Sequence, residues 1–414
     1  VNILFIHQNF PGQYKHLAPR LARAGHHCVA LTLRVRKART WQGVQVLPYS
    51  LPRRSGQALH PWLVDFDTKV TRGEACWRAA MQLRDRGYVP DLILAHPGWG
   101  ESLFLRDVWP GARLGLYCEL YHLAGWPHLD FDPEFASQTP EADPLRIRMK
   151  NLNNMLHFEQ AHAGISPTRF QADTFPQPVR DRITVSHDGI DTLTACPLPD
   201  VRFEVEGIGE LTRDDEVITF VNRNLEPYRG YHVFMRALPR LLRERPRARV
   251  LIVGGDEVSY GARPPKGQTW KQIFIDEVRG QIPDTDWARV HFLGRIPYDR
   301  FVALLQVSRV HVYLSYPFVL SWSLLEAMSC GAAIVAGDTA PVREVIAQDA
   351  TGRLVDFFDG AALVNEICAL LDDEAARRRL GRAARELIRA GYDLRTICLP
   401  RQLRWVGELA AAGV

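Results

Sequence analysis

Twice along this 414-residue chain, short apolar runs alternate with segments that carry apolar residues at helical spacing, and that alternation most restricts what it can fold into. In the first half, Val1–Ile6, Cys28–Leu33, Leu92–Ala95, Leu114–Tyr117, Gly164–Ile165 and Arg182–Ser186 read as strands. Between them, Tyr14–Ala24 puts Leu17, Leu21 and Ala24 on one helical face, with Gly25 where a C-cap belongs, and Met149–His162 reads as a second helix. The pattern restarts with Val217–Val221, Arg249–Val253, Val290–Leu293, Val310–Leu314 and Ala333–Ala336, and Gly230–Glu244 is a helix with Val233, Phe234, Ala237 and Leu241 facing one way. Strands alternating with helices of this length predict an α/β fold of parallel sheets with right-handed crossovers. Two domains are expected: residues 1–198, joined by an amphipathic C-terminal segment of about 393–414 packing back, and residues 199–392. Pro197–Glu216 reads as the linker, and a cleft between two such domains is a usual home for ligands.

Composition removes several function classes. Hydrophobic residues make up 46% and charged residues 24%, as in ordinary soluble domains. No apolar run approaches the roughly 20 residues of a membrane span, and the start lacks the parts of a signal peptide. The seven cysteines are scattered and form no CxxC pair, which argues against a zinc ribbon or disulfide framework and for a reducing cytoplasm. A net charge of +4 does not imply nucleic-acid binding. The basic loop Arg34–Arg39 reads as solvated, although it is compatible with peripheral contact to anionic lipid at the inner face of a membrane. No GxxxxGK[ST] phosphate loop occurs, no GxGxxG follows a strand, and no histidine or acidic cluster has metal-ligand spacing. Asp214-Asp215-Glu216 and Asp372-Asp373-Glu374 read as solvated turns and caps.

The most informative segment runs from Val312 to Glu344. A strand leads through a polar-aromatic loop into a helix starting near Ser321, Trp322 and Ser323, and Gly331 ends that helix. Such a helix start offers unpartnered N–H groups and a favourable dipole to an anion. Glu326 lies one turn inside; alone it would read as a solvated glutamate, but Leu324, Leu325, Ala327 and Met328 surround it with apolar neighbours. A carboxylate there suits the paired hydroxyls of a ribose. In FVNRNLEPYRGYHVF, Arg223 follows a strand and Arg229 precedes a helix. Two guanidiniums in one loop can clamp a diphosphate and stabilise it as a leaving group.

Together these pieces resemble the family 4 retaining glycosyltransferases, and the resemblance runs over nearly the whole chain. It implies the GT-B fold, two Rossmann-like parallel-sheet domains facing across a cleft. Val221-Asn222-Arg223 through Arg229-Gly230 is similar to the family's strand, "GR" and "KG", with Arg229 in place of the lysine. Val253-Gly254-Gly255 resembles its glycine-rich stretch, Leu293-Gly294-Arg295-Ile296 its base-contacting loop, and His187–Asp191 the "NGVD" closing the first domain. FPGQYKHLAPRLARAGHHC resembles the first loop and helix, which places Gly12 beside the donor phosphates. The family's paired glutamates are met only by Glu326; Phe318 stands at the first position, which in the family contacts the donor sugar.

The resemblance implies transfer from a nucleotide-diphosphate sugar with retention, no metal and no bound cofactor, the leaving diphosphate taking the acceptor's proton. Arg223, Arg229 and His96 are then the catalytic candidates. Gly12, Gly254, Arg295, Ile296, Phe318, Ser321, Trp322, Ser323 and Glu326 are candidates for holding the donor, and Trp99, Glu119, Tyr121 and His122 for the acceptor. His96 reads equally as a loop histidine with a structural hydrogen bond, and the aromatic residues equally as packing. The acceptor is expected to be a glycan, a lipid-linked or a small molecule, in surface polysaccharide or glycoconjugate synthesis. Two rivals are an epimerase or hydrolase of the same fold, with Glu119 or Glu101 as base, and a binder that has lost turnover.

Overall fold

The computed structural model describes residues 1–51, 59–123 and 130–411. Contacts divide the chain into two units, Val1–Asp188 with Arg395–Val414, and Gly189–Leu394.

The first unit carries an eight-stranded sheet. Its strands are β1 (Asn2–Ile6), β2 (His27–Thr32), β3 (Arg39–Trp41), β4 (Val44–Pro48), β5 (Leu92–Ala95), β6 (Arg113–Tyr117), β7 (Ala163–Ser166) and β8 (Ile183–Val185). They lie in the order β3-β4-β2-β1-β5-β6-β7-β8, and all pairs are parallel except β3 with β4. Both faces are buried, which is why the strands read as continuous apolar runs. Leu4, Ile6, Val29 and Leu31 pack with Ala75, Cys76 and Ala80 of the helix Val64–Asp85. Ile3, Phe5, Cys28 and Ala30 pack on the other face with Leu17 and Leu21, and with Trp405 and Leu409 of the helix Leu399–Ala411. Gly115 in β6 admits that last helix: a Cβ there would lie 2.7 Å from Leu409 and 2.8 Å from Trp405. Residues 412–414 of the expected terminal segment lie outside the described residues.

The second unit has six parallel strands, β11 (Val217–Asn224), β12 (Arg249–Gly255), β13 (Val290–Gly294), β14 (Val310–Tyr313), β15 (Ala333–Gly337) and β16 (Arg353–Val355), in the order β13-β12-β11-β14-β15-β16. Among the parallel strands of each unit the order reverses once, beside β1 in the first and beside β11 in the second. A crevice opens outside the carboxyl ends of the strands at such a point.

Several expectations are corrected. Pro197–Glu216 is no bare linker: β9 (Phe203–Val205) and β10 (Gly209–Leu211) form an antiparallel hairpin whose Phe203, Val205 and Leu211 enter the second unit's core. The boundary falls at 188/189 rather than 198/199, because Ile190 bonds to the backbone of Tyr392 and Leu394 and the Thr192 hydroxyl donates to Asp393. Glu216, read as solvated, is buried and accepts from Arg245 at 2.7 Å. Met149–His162 is not one helix; the chain forms Asp143–Lys150 and Leu152–Gln160, meeting at Asn151. Arg39, read as part of a solvated loop, opens β3. No helix among the described residues is long and apolar enough to cross a membrane.

Candidate functional site

Sequence candidates of the second unit gather at the carboxyl rim of its sheet, around the reversal between β11 and β14. Arg223 is exposed as the penultimate residue of β11, with no hydrogen bond or ion pair to the described residues. Its neighbour Asn224 turns inward, donating to Ser259 Oγ at 2.7 Å and accepting from Arg295 Nη2 at 2.9 Å; Arg295 also pairs with Glu257 at 2.6 Å. The glycine pair closing β12 makes this approach possible. A Cβ on Gly255 would lie 2.6 Å from Asn224 Oδ1, and one on Gly254 2.7 Å from Leu225. Gly254 therefore faces packing, and Gly255 is the one beside the polar groups. Ile296 packs against the core.

Arg229 is not the surface clamp its sequence suggests. The turn Pro227–Arg229 ends at Gly230, with φ of +67° and the Leu314 side chain 2.2 Å from where a Cβ would sit, so only glycine fits. This tight turn accompanies an Arg229 side chain that is only 6% exposed. It donates to Ser315 Oγ at 2.7 Å, the Val319 carbonyl at 3.1 Å and the Tyr313 hydroxyl at 3.4 Å, and lies over the Tyr260 ring. The guanidinium thus ties the loop Leu314–Ser321 to the sheet. Phe318 is buried in that loop with Tyr260 and Tyr228, ring centroids 5.0 and 5.2 Å away.

Tyr313 also accepts from the Ser321 amide at 3.0 Å, and Ser321 caps the helix Trp322–Ser329 by accepting from the Ser323 amide. Trp322 is half-buried and Ser323 buried. Glu326 is only 8% exposed, with the Tyr298 hydroxyl donating to Oε1 at 2.8 Å. Burial and the adjacent carboxylate hold the Tyr298 hydroxyl well above its ordinary pKa, so it stays a donor. Tyr298 lies 28 residues before Glu326, and no local pattern announces it.

The first unit has its own cluster at the reversal between β1 and β5. His96 follows β5 and is buried; its Nδ1 accepts from the Gly98 amide at 3.2 Å, and its Nε2 lies 3.7 Å from Glu119 Oε2. Its ring stacks on Trp99 at 4.4 Å and on Tyr117 at 5.4 Å. The structure thereby brings together His96, Trp99 and Glu119. It adds His7, which directly follows β1: Nε2 meets Gln13 Oε1 at 2.6 Å, and the ring lies 5.4 Å from that of His96. A polar residue right after an apolar strand was the signal for it. Gly12 abuts the His7 ring, which occupies the place a Cβ would take. The other two acceptor candidates follow Glu119 on the stretch after β6. Tyr121 stacks with Phe158 and Phe175 in the core, and the peptide groups of His122 are held by Asn151. Glu101, once a candidate base, is fully buried and accepts from Tyr49 at 2.8 Å; burial raises its carboxyl pKa.

Burial also lowers the pKa of His7, with His96 adding to the effect, to about 3, and those of His157 and His187 to about 4, all in the first unit. These rings stay neutral in the folded chain, while the unfolded chain protonates them below about pH 6.5. The unfolded state then binds more protons, so stability is full above pH 6.5 and falls toward pH 4, by up to about 1.4 kcal/mol per pH unit for each ring. In the second unit His311 alone is lowered so far, to about 3. Hydrogen exchange read by segment between pH 7.5 and 5 should show the first unit opening earlier; equal loss of protection in both would contradict this.

Residues 24–195 match the model of the glycosyl transferase family 4 group, and residues 203–387 that of the glycosyl transferases group 1. A D-inositol 3-phosphate glycosyltransferase of Corynebacterium efficiens is 30% identical over 315 residues, which cover 73% of this chain and 68% of that protein. A phosphatidyl-myo-inositol mannosyltransferase of Mycolicibacterium smegmatis is 31% identical over 170 residues, 40% of this chain and 38% of that protein. Among solved structures, a sucrose-phosphate synthase from Thermosynechococcus elongatus superposes with a TM-score of 0.75 at 20% identity, covering 99% of both chains. Anabaena HepE in complex with UDP and glucose does so with 0.66 at 18% identity, covering 98% of this chain and 99% of that one. These likenesses establish the fold.

Proposed function

The chain belongs to the group 1 glycosyltransferases, enzymes of GT-B fold that take a sugar from a nucleotide donor, and from that premise we propose a retaining, metal-independent transfer onto a polyhydroxylated acceptor. The observation that carries the donor half is the rim between β11 and β14, where exposed Arg223, the capped helix start at Ser321 and the oriented Glu326 lie around one strand-order reversal. Glu326 accepts from the ribose hydroxyls, Arg223 and the helix start take the diphosphate, and Arg229 holds the loop that shapes the sugar pocket. The cluster of His96, Trp99 and Glu119 takes the acceptor, its aromatic faces suiting a ring.

In the reaction an acceptor hydroxyl attacks the anomeric carbon on the face the leaving group departs from. The bond from that carbon to the diphosphate oxygen breaks, and the hydroxyl's proton passes to the diphosphate. The protein contributes orientation and charge stabilisation. Inositol 3-phosphate is the first acceptor to try, given the relative's name. A cytoplasmic setting, at or near the inner face of a membrane, is supported by cysteines that are scattered along the sequence without a CxxC pair, five of them buried.

Thermal melts of the full chain against UDP-, GDP-, ADP- and dTDP-sugars test the donor site. One nucleotide class should stabilise by about 2.7 kcal/mol at a hundred times its Kd. Glu326→Ala and Arg223→Ala should abolish the effect. No shift with any donor at about millimolar concentration, or full shifts in both variants, would remove this assignment.

A further inference from the structure

The second unit holds another cavity at the opposite, amino-terminal rim of its sheet. It has a volume of about 400 Å³. Arg309 immediately precedes β14, Ala333 begins β15, and Arg213 lies in the turn leading to β11, so the lining gathers where the strands start. The donor candidates Arg223, Arg295 and Ser321 all lie where strands end. The two places are therefore separated by the length of the sheet.

Four guanidiniums line this cavity, those of Arg213, Arg309, Arg377 and Arg378, against the two carboxylates of Asp214 and Glu374. Three are anchored by backbone carbonyls. Arg213 Nη2 donates to Gly331 at 2.7 Å, Arg309 Nε to Arg213 at 3.0 Å, and Arg377 Nη1 to Leu370 and Leu371 at 2.5 and 2.6 Å. Arg309 Nη2 donates to the Asp214 carbonyl. None of these acceptors carries a full negative charge. Arg378 pairs with Glu374, and Asp214 is exposed. Anchoring by carbonyls fixes the guanidiniums without neutralising them, so like charges are held together in partly buried surroundings. Burial, with Arg309 adjacent, lowers the pKa of Arg377, and burial with Arg378 nearby lowers that of Arg213. Such an arrangement is relieved by an anion, and preorganised forks favour phosphate oxygens.

We propose that this arginine-lined cavity is a second ligand site, for the phosphate-monoester dianion of a small phosphorylated metabolite. The surplus of two positive charges matches a dianion. The volume lies within the roughly 300–1,000 Å³ of small-molecule pockets, which leaves room for a polyol body beyond the phosphate.

Titration calorimetry of the full chain with glucose 6-phosphate, at constant ionic strength, tests the site, with inorganic phosphate and glucose as the other arms. Saturable binding of one equivalent is expected, stronger than that of phosphate, and none by glucose. Arg378→Gln, at an exposed position, should weaken binding about tenfold, and Arg377→Gln by at least as much. Arg223→Ala should leave it unchanged. Loss of binding in Arg223→Ala with none in Arg378→Gln would place the phosphate at the donor rim and overturn the proposal. Equal affinity for inorganic phosphate and glucose 6-phosphate would overturn the metabolite assignment, and absence of saturable binding would overturn the site.

Discussion

Arg229→Met is expected to lower the stability of the second unit by about 3 kcal/mol, and with it the affinity for any nucleotide-sugar. The guanidinium donates to the buried hydroxyls of Ser315 and Tyr313 and to the half-buried Val319 carbonyl. Removing it leaves buried acceptors short of a donor, each worth on the order of 1 kcal/mol or more, and forfeits the contact with the Tyr260 face. In a unit of this size the melting transition should fall by about 6–12 °C. Tyr313 also receives the Ser321 amide, so the loop's loss reaches the helix start proposed to hold the diphosphate. Arg229→Lys separates two roles. An ammonium supplies charge but cannot reproduce the planar fork, so a clamp leaves Lys well below wild type in melting temperature, whereas a simple positive charge near the donor leaves it close. Unchanged melting in Arg229→Met would end the clamp reading, and lost donor binding with wild-type melting would return Arg229 to the diphosphate.

The strands around each centre were legible because they are buried on both faces and read as unbroken apolar runs: Val217–Val221, Arg249–Val253 and Leu92–Ala95 all begin or end within a few residues of the observed β11, β12 and β5. The marginal strands were not. Arg39–Trp41 pairs antiparallel at an edge and carries no apolar run, and Val44–Pro48 alternates Val44 and Val46 with an exposed Gln45. The helix Val64–Asp85 was not legible because its buried side mixes the polar Lys69 and Thr71 with the small Gly73, Ala75, Cys76 and Ala80, leaving Leu83 as its one large apolar residue and almost no amphipathic contrast.

At the candidate site, position along the strand was readable and exposure was not. Strand ends located Arg223, Arg229, His96 and the loop before Ser321, since ligands of α/β sheets gather there. Whether a guanidinium faces solvent or carbonyls depends on residues far away in sequence: Arg229 is fixed by Ser315 and Val319, and Arg223, six positions before it, is left exposed. Glu326 likewise needs Tyr298, and the aromatic pocket of Phe318 needs Tyr260 and Tyr228, all brought in by the order of strands. Gly12 shows the same limit from the other side. The sequence explained it by a ligand's approach, while the group found against it belongs to the protein.

Gly12→Ala should therefore destabilise the first unit by about 3 kcal/mol whether or not a donor is ever bound. A Cβ would fall 2.3 Å from Cε1 and Nε2 of His7, and the backbone sits at φ +45°, where a side chain costs about 1–2 kcal/mol by itself. The imidazole has little room to yield: Nε2 is held by Gln13 and Nδ1 accepts from the Asn9 amide at 3.0 Å, while the Trp99 ring lies 4.9 Å away. Moving it disturbs His96, stacked on the same Trp99, so acceptor turnover should fall further than stability alone explains. A double-mutant cycle isolates the cause. In the His7→Ala background the added methyl has space, and Gly12→Ala should then cost only the backbone penalty, roughly half the single-variant loss. Denaturant midpoints of the four proteins give the coupling. A Gly12→Ala penalty that is the same in both backgrounds would show that the His7 ring does not set the requirement for glycine, and would leave the backbone conformation as the whole of it.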